Sequence, residues 1–257
     1  MEVGAQKVIV DEKADPVRDT HRGRSWLEGC KVVAIVGIVF TLFVVLLAVA
    51  VPSWTKGIII AAGLAFLGCA ACVLIFFRDA DPHPPAETGV ILSPSHGTID
   101  YVDTTTESQF LNGTVRRISI YLSLKNVHVQ HAPVTGSVDV VRHFPGRWSR
   151  AIRRDASLRN EHLLVGLTLD GGQRIALRLI SGIVVRRIVP WISPGQQVIG
   201  GERIGLIRFG SRVDVFLPLD WQVTVKPGDK VRGGETILAR VAALNADATP
   251  YVEFTNT

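Results

Sequence analysis

Two unbroken apolar stretches dominate the first third of the chain. Residues 32–51 are twenty in a row without a charge, and residues 57–77 are twenty-one more. At about 1.5 Å of rise per helical residue, each run matches a hydrocarbon layer about 30 Å thick. Only Pro52, Ser53, Trp54, Thr55 and Lys56 separate them, too few for a domain, so the pattern predicts a transmembrane helical hairpin over 26–77. A cleaved leader is the weaker explanation, because a second span follows the first at once. From Gly89 onward the period changes to two, as in Ile118-Ser119-Ile120-Tyr121-Leu122, Val213-Asp214-Val215-Phe216-Leu217 and Gln222-Val223-Thr224-Val225. Such short strands, broken by glycine, proline and aspartate, predict a mainly β domain over 78–257. Its entry, Arg78-Asp79-Ala80-Asp81-Pro82-His83-Pro84-Pro85, is stiffened by proline. Helical periodicity is weak throughout this domain and best around 150–164. Residues 1–25 are polar and aperiodic and read as a flexible cytoplasmic tail.

The strand region contains a repeat. Pro194-Gly195-Gln196-Gln197-Val198-Ile199-Gly200-Gly201-Glu202-Arg203-Ile204 returns thirty-three residues later as Pro227-Gly228-Asp229-Lys230-Val231-Arg232-Gly233-Gly234-Glu235-Thr236-Ile237. Each copy spells a turn, a short strand, a glycine turn and a second strand. The pair predicts a lipoyl- or biotinyl-like barrel sandwich. No carrier lysine stands at the hairpin, so the repeat reads as scaffold.

Charge sets the orientation. Arg18, Arg22, Arg24 and Lys31 precede the first span and Arg78 follows the second, against Lys56 alone between them. By the positive-inside bias both termini, and with them the β domain, belong to the cytoplasmic side of a cell membrane. The three cysteines, Cys30, Cys69 and Cys72, lie in or beside the spans. None can staple the β domain, and Cys69 and Cys72 within an apolar helix read as packing and not as a metal or redox pair. The formal net charge is +5, yet Arg142, Arg147, Arg150, Arg153, Arg154 and Arg159 crowd into eighteen residues. On a tethered domain this cluster suits anionic lipid head groups. Nucleic acid is disfavoured, because no aromatic interleaving or nucleic-acid motif accompanies it.

Candidate chemistry centres on Ile207-Arg208-Phe209-Gly210-Ser211-Arg212-Val213-Asp214 and on Val127-His128-Val129-Gln130-His131-Ala132-Pro133. Together these segments resemble the self-processing proenzymes of the phosphatidylserine decarboxylase family, over roughly positions 76 to 240. The resemblance implies that the Gly210-Ser211 bond breaks by the protein's own chemistry and that Ser211 becomes a pyruvoyl group, the cofactor for decarboxylating phosphatidylserine. It implies too that the two cleavage fragments stay associated, and it leaves homo-oligomerisation open. His128 matches a position that is histidine throughout the family, whereas His131 matches one that is histidine in some members and arginine in the short forms. His128 is expected to serve decarboxylation, and either histidine to act as base toward Ser211. Arg186 and Arg187 are candidates for the substrate's phosphate or carboxylate.

One position departs from the family pattern. Ser93-Pro94-Ser95-His96-Gly97 aligns with Ser-Pro-Ala-Asp-Gly, whose aspartate orients the catalytic histidine. His96 carries no permanent negative charge at neutral pH, so Asp100 is the nearest candidate to replace it as orienting group. The substitution also opens a different enzyme class, a zinc hydrolase built on His96, Asp100, His128 and His131. A third reading is a non-catalytic, membrane-tethered lipid-binding β module. The preferred reading needs no metal.

Overall fold

The computed structural model describes residues 21, 23–50, 56–146, 159–182, 188–208 and 211–241. Two helices come first, α1 (Arg24–Ala50) and α2 (Lys56–Phe76). They run antiparallel, with Phe40 stacked on Phe66 at 4.6 Å midway and Ser25 Oγ donating to the Phe77 carbonyl oxygen at 2.5 Å at the base. The 20-residue stretch Arg24–Phe43 has mean hydropathy 1.9 and is long and apolar enough to cross a membrane. The shorter apolar run Ala61–Phe76 lies within α2.

The remainder is mainly β. The strands are β1 (Val90–Leu92), β2 (Gly97–Glu107), β3 (Gly113–Leu122), β4 (Val129–His131), β5 (Gly136–Phe144), β6 (His162–Leu169) and β7 (Arg174–Ile180). After them come β8 (Ile188–Pro190), β9 (Gln197–Val198), β10 (Arg203–Ile207), β11 (Ser211–Leu217), β12 (Gln222–Val223), β13 (Lys230–Val231) and β14 (Ile237–Arg240). An eight-stranded sheet has the order β13-β2-β3-β11-β7-β6-β5-β9, and two small sheets have the orders β1-β14-β12 and β4-β10-β8. The weakly helical stretch expected around 150–164 ends in a strand, because from His162 the chain pairs with both β5 and β7. Residues 147–158, with most of the arginine cluster, lie outside the described residues.

These orders are symmetric about the contact between β11 and β7. Strand β2 corresponds to β5, β3 to β6 and β13 to β9, while sheet β1-β14-β12 corresponds to β4-β10-β8. The described strands therefore form two copies of one seven-strand pattern, and the second copy (β4 to β10) is inserted into the first between β3 and β11. Equivalent hydrogen bonds repeat: Gly195 N to Val138 O and Val138 N to Gln196 O in one copy, Gly228 N to Ile99 O and Ile99 N to Asp229 O in the other. The turn glycines Gly195, Gly201, Gly228 and Gly234 all have positive φ, a conformation that a Cβ disfavours. The thirty-three-residue repeat was thus half of a larger one. Its other half, Gly97-Thr98-Ile99-Asp100-Tyr101-Val102 against Gly136-Ser137-Val138-Asp139-Val140-Val141, is legible once the pairing is known.

The insertion places one junction apart from all others. In the inserted copy β6 and β7 are joined by a tight turn, Leu169 N bonding Gln173 O at 2.8 Å. In the outer copy the matching ends are Leu122 and Ser211, which pair in register yet are separated by the whole inserted copy. Alternate residues of β11 split between two environments. Val213, Val215 and Leu217 join the main core with Ile118, Ile120, Leu177 and Leu179, whereas Phe216 packs with Phe110, Leu164 and Ala176 on the opposite side.

Candidate active site

Ser211 is the first residue of β11 and is fully buried. By strand alternation it shares the inward face of Val213 and Val215, and its Oγ has no hydrogen-bond partner. A buried hydroxyl without a partner is uncommon, since desolvation is left uncompensated. Phe209 and Gly210 lie outside the described residues, as do Arg186 and Arg187.

Other chain segments converge on the same end of the sheet. Strand β3 ends there at Leu122, and β2 begins there immediately after His96, Thr98 pairing with Tyr121 and Tyr121 with Arg212. The connection 123–128 is a built turn: Asn126 N donates to Ser123 O at 2.9 Å, and Asn126 Oδ1 accepts from Ser123 N at 2.8 Å and Ser123 Oγ at 2.7 Å. It delivers His128 beside the end of β10, where Ile207 N donates to His128 O at 3.2 Å. The link 123–128 therefore starts beside Ser211, which pairs with Leu122, and ends beside Ile207, four residues before Ser211.

The histidines fall into two groups. His131, which pairs with Arg203 at the start of β10, lies beside His96 with ring centroids 6.0 Å apart. His128 instead packs on Phe76 from α2, with centroids 4.2 Å apart. His128 Nδ1 is 2.9 Å from Asn126 O. A carbonyl only accepts, so Nδ1 carries the proton and Nε2 presents its lone pair, buried and without a partner. Desolvation lowers the His128 pKa to about 4, opposed by the Asn126 bond and aided by Arg78. Desolvation lowers His131 to about 3, with His96 and Arg203 acting in the same direction, and both its ring nitrogens lack a partner. His96 is lowered too, chiefly by burial, while Glu235 opposes the shift. All three imidazoles are neutral at pH 7, the form in which a histidine accepts a proton.

Burying these rings neutral makes folding pH-dependent. Between the folded values of about 4 and 3 and the unfolded value of 6.5, the unfolded chain binds protons that the folded chain refuses. Stability is expected to be full above about pH 6.5 and to fall as pH drops toward 4, by a few kcal/mol in total. Thermal melting in detergent across this range checks it, and a His131→Asn chain should show a shallower loss.

Asp100 occupies a β-bulge between Ile99 and Tyr101, which re-aims its side chain across β3. Its Oδ2 accepts from Arg212 Nη2 at 2.6 Å. Arg212, wholly buried, also donates to Ser119 Oγ at 2.8 Å, and that hydroxyl donates to Asp214 Oδ1 at 2.6 Å. Arg117 grips Asp103 through two bonds of 2.9 and 2.6 Å, and both guanidinium groups stack on Tyr101 at 4.8 and 5.1 Å. This network lies on the face opposite Ser211 and clamps β2, β3 and β11 together. The four residues weighed as zinc ligands are divided among these environments. Among the described residues no group of three or more His, Cys, Asp or Glu is placed to hold a metal ion.

Three contributors escaped sequence reasoning: Phe76 on His128, Glu235 acting through its charge on His96, and the Arg212 network. The first two come from remote segments and left no local signal. The alternation Arg212-Val213-Asp214 did put two charges on one face of a strand, a signal that was available.

Comparison with known proteins adds an independent line. The sequence model of the family described as phosphatidylserine decarboxylase matches residues 69–239, from within α2 to within β14. The phosphatidylserine decarboxylase proenzyme of Desulfotalea psychrophila is 40% identical over 176 residues, covering 68% of this chain and 82% of that protein. The proenzyme of Symbiobacterium thermophilum is 38% identical over 181 residues, 70% and 84% of the two chains. That of Nocardia farcinica is 40% identical over 199 residues, 76% and 83%.

Proposed function

The chain belongs to the phosphatidylserine decarboxylase family, and from that premise we propose that it cuts itself between Gly210 and Ser211 and decarboxylates phosphatidylserine to phosphatidylethanolamine. The observation that carries this reading is the buried, unpartnered hydroxyl of Ser211 at the start of β11, where the chain returns from the inserted copy.

Ser211 Oγ attacks the carbonyl carbon of Gly210 while a neutral imidazole, His131 or His128, takes its proton. The peptide bond becomes an ester. Removal of the Ser211 α-proton then expels the carboxylate of Gly210, and the dehydroalanine left at 211 takes up water and releases ammonia to become the pyruvoyl group. A pyruvoyl group at this position would fit the residues present, because its methyl would stand on the core side where the Ser211 hydroxyl has no bond to lose. When formed, it supplies an electron sink for the pair left by departing carbon dioxide. His128, its ring fixed by Asn126 O and its Nε2 open, holds and returns the proton required at the carbon that loses carbon dioxide. Phe76 keeps bulk water from that ring. Arg186 and Arg187 are assigned to the phosphate or carboxylate of the lipid.

The fragments are expected to stay together, since β11 opens the short fragment and is hydrogen-bonded on both sides to β3 and β7 of the long one. The helix pair is read as a transmembrane hairpin with both termini cytoplasmic, so that the β-rich domain over 78–257, with its lipoyl- or biotinyl-like barrel-sandwich repeat, meets its lipid at the membrane surface.

Intact mass of the protein purified from membranes tests the first step. It should show a fragment ending at Gly210 and one of 47 residues, 211–257, with an amino terminus blocked to Edman chemistry. With labelled phosphatidylserine, borohydride should fix the label on the short fragment, and carbon dioxide release should survive chelators and need no pyridoxal phosphate. A chain that stays whole through long incubation in membranes overturns the proposal.

A further inference from the structure

The two helices are not merely a tether. Most of α1 is exposed, as at Ile35, Ile38 and Leu42, but one side of its first turns is not: Ser25 is fully buried and Gly29 is buried too. At the base of α2, Phe76 and Phe77 are 5% and 1% exposed. These two phenylalanines form one apolar cluster with Val127, Val129 and Leu206, joined by Val32, Val73 and Trp191. A Cβ on Gly29 would lie 2.8 Å from the Phe77 Cβ, so glycine is what lets α1 seat this closely. The docked base thus packs on β4, on β10 and on Val127 and Arg208 in the connections of those two strands.

Within this base Glu28 of α1 reaches Arg208 directly, Arg208 Nη2 donating to Glu28 Oε2. Arg208 follows β10 and stands two residues before Gly210. Its guanidinium lies 5.9 Å from the Phe77 ring centre. The ion pair is largely withdrawn from water, the side chains being 14% and 22% exposed, which strengthens it relative to a surface pair. Lys31 occupies the other oxygen of Glu28, Oε1, at 3.0 Å on the exposed side.

We propose that Glu28 is a positioning residue for self-cleavage: through Arg208 it sets the path of the segment holding the bond to be cut, so that maturation waits until α1 and α2 are docked. The inference rests on the self-cleavage reading above. Attack on the Gly210 carbonyl depends on its orientation, and a displacement of about 1 Å costs on the order of 10²-fold in rate.

The test is cell-free synthesis of the full chain into lipid nanodiscs, following appearance of the 47-residue fragment. Glu28→Gln and Arg208→Glu should each slow cleavage at least about tenfold. The exchange Glu28→Arg with Arg208→Glu should restore it to within about threefold, a rescue that loss of general stability would not give. Lys31→Gln should leave the rate unchanged. Hydroxylamine, which splits an ester but spares an amide, should release no short fragment from Glu28→Gln, because positioning acts before the ester forms. Wild-type cleavage rates in Glu28→Gln overturn the proposal, as does failure of the exchange to rescue or full release by hydroxylamine. A wild-type chain that stays uncut overturns the self-cleavage reading instead.

Discussion

Ser211→Ala should give an uncut chain of 257 residues, folded and inserted but without decarboxylase activity. The expected loss is complete, because the substitution removes both the nucleophile of the cut and the atoms from which the pyruvoyl group is made. Nothing in the fold should suffer. Ser211 Oγ is buried without a partner, and deleting an unsatisfied buried hydroxyl is neutral or stabilising, by about 1 kcal/mol. The measurement pairs intact mass with thermal melting: no fragments, and a melting temperature equal to or above that of the wild-type chain. A chain that still yields a 47-residue fragment would remove Ser211 from the chemistry. One that melts markedly lower would mean that its hydroxyl is structural.

His96→Asp should accelerate self-cleavage. When His131 takes the Ser211 proton it becomes an imidazolium among groups that oppose the charge, His96 and Arg203, with no bonded carboxylate. An aspartate at 96 would raise the His131 pKa from about 3 and orient its ring. At the well-studied serine-protease triad such a carboxylate is worth on the order of 10⁴ in rate. In the native chain the carboxylate whose charge opposes the lowering of the His96 pKa is that of Glu235, which also pairs with Arg232, so Glu235→Gln should slow the native cut and matter little once Asp stands at 96. Asp100→Asn should behave differently. It strips a partner from fully buried Arg212, at about 3 kcal/mol of stability, the low end of the buried-pair range because Asp100 is 33% exposed. A His96→Asp chain that cuts at the native rate, with native stability, would exclude His131 as the base.

The halves of the site differed in how legible they were. Gly210-Ser211 and the two histidines sit in continuous motifs, so the residues could be named from the linear chain. Their grouping could not. Only two residues separate His128 from His131, yet one ring packs on Phe76 of α2 and the other lies beside His96. A short strand with its register shift between Arg203 and Gly205 decides that division. Asp100 looked like a neighbour of His96 by sequence distance, and a bulge sends it to the opposite face and to Arg212. Glu235, between β13 and β14 of the outer copy, is instead the carboxylate whose charge acts on His96.

By itself the sequence determined the apolar helices, the mainly β character of the rest, half of the internal repeat and the family, because each is written in local period or contiguous motif. Tertiary structure alone decided that one copy is nested within the other, that Ser211 pairs with Leu122 across the whole inserted copy, and that Glu28 reaches Arg208 and Phe76 reaches His128. Burial decided the charge state of the histidines. Nesting joins segments more than a hundred residues apart, and desolvation depends on everything that surrounds a side chain, so neither leaves a pattern in any short window of the chain.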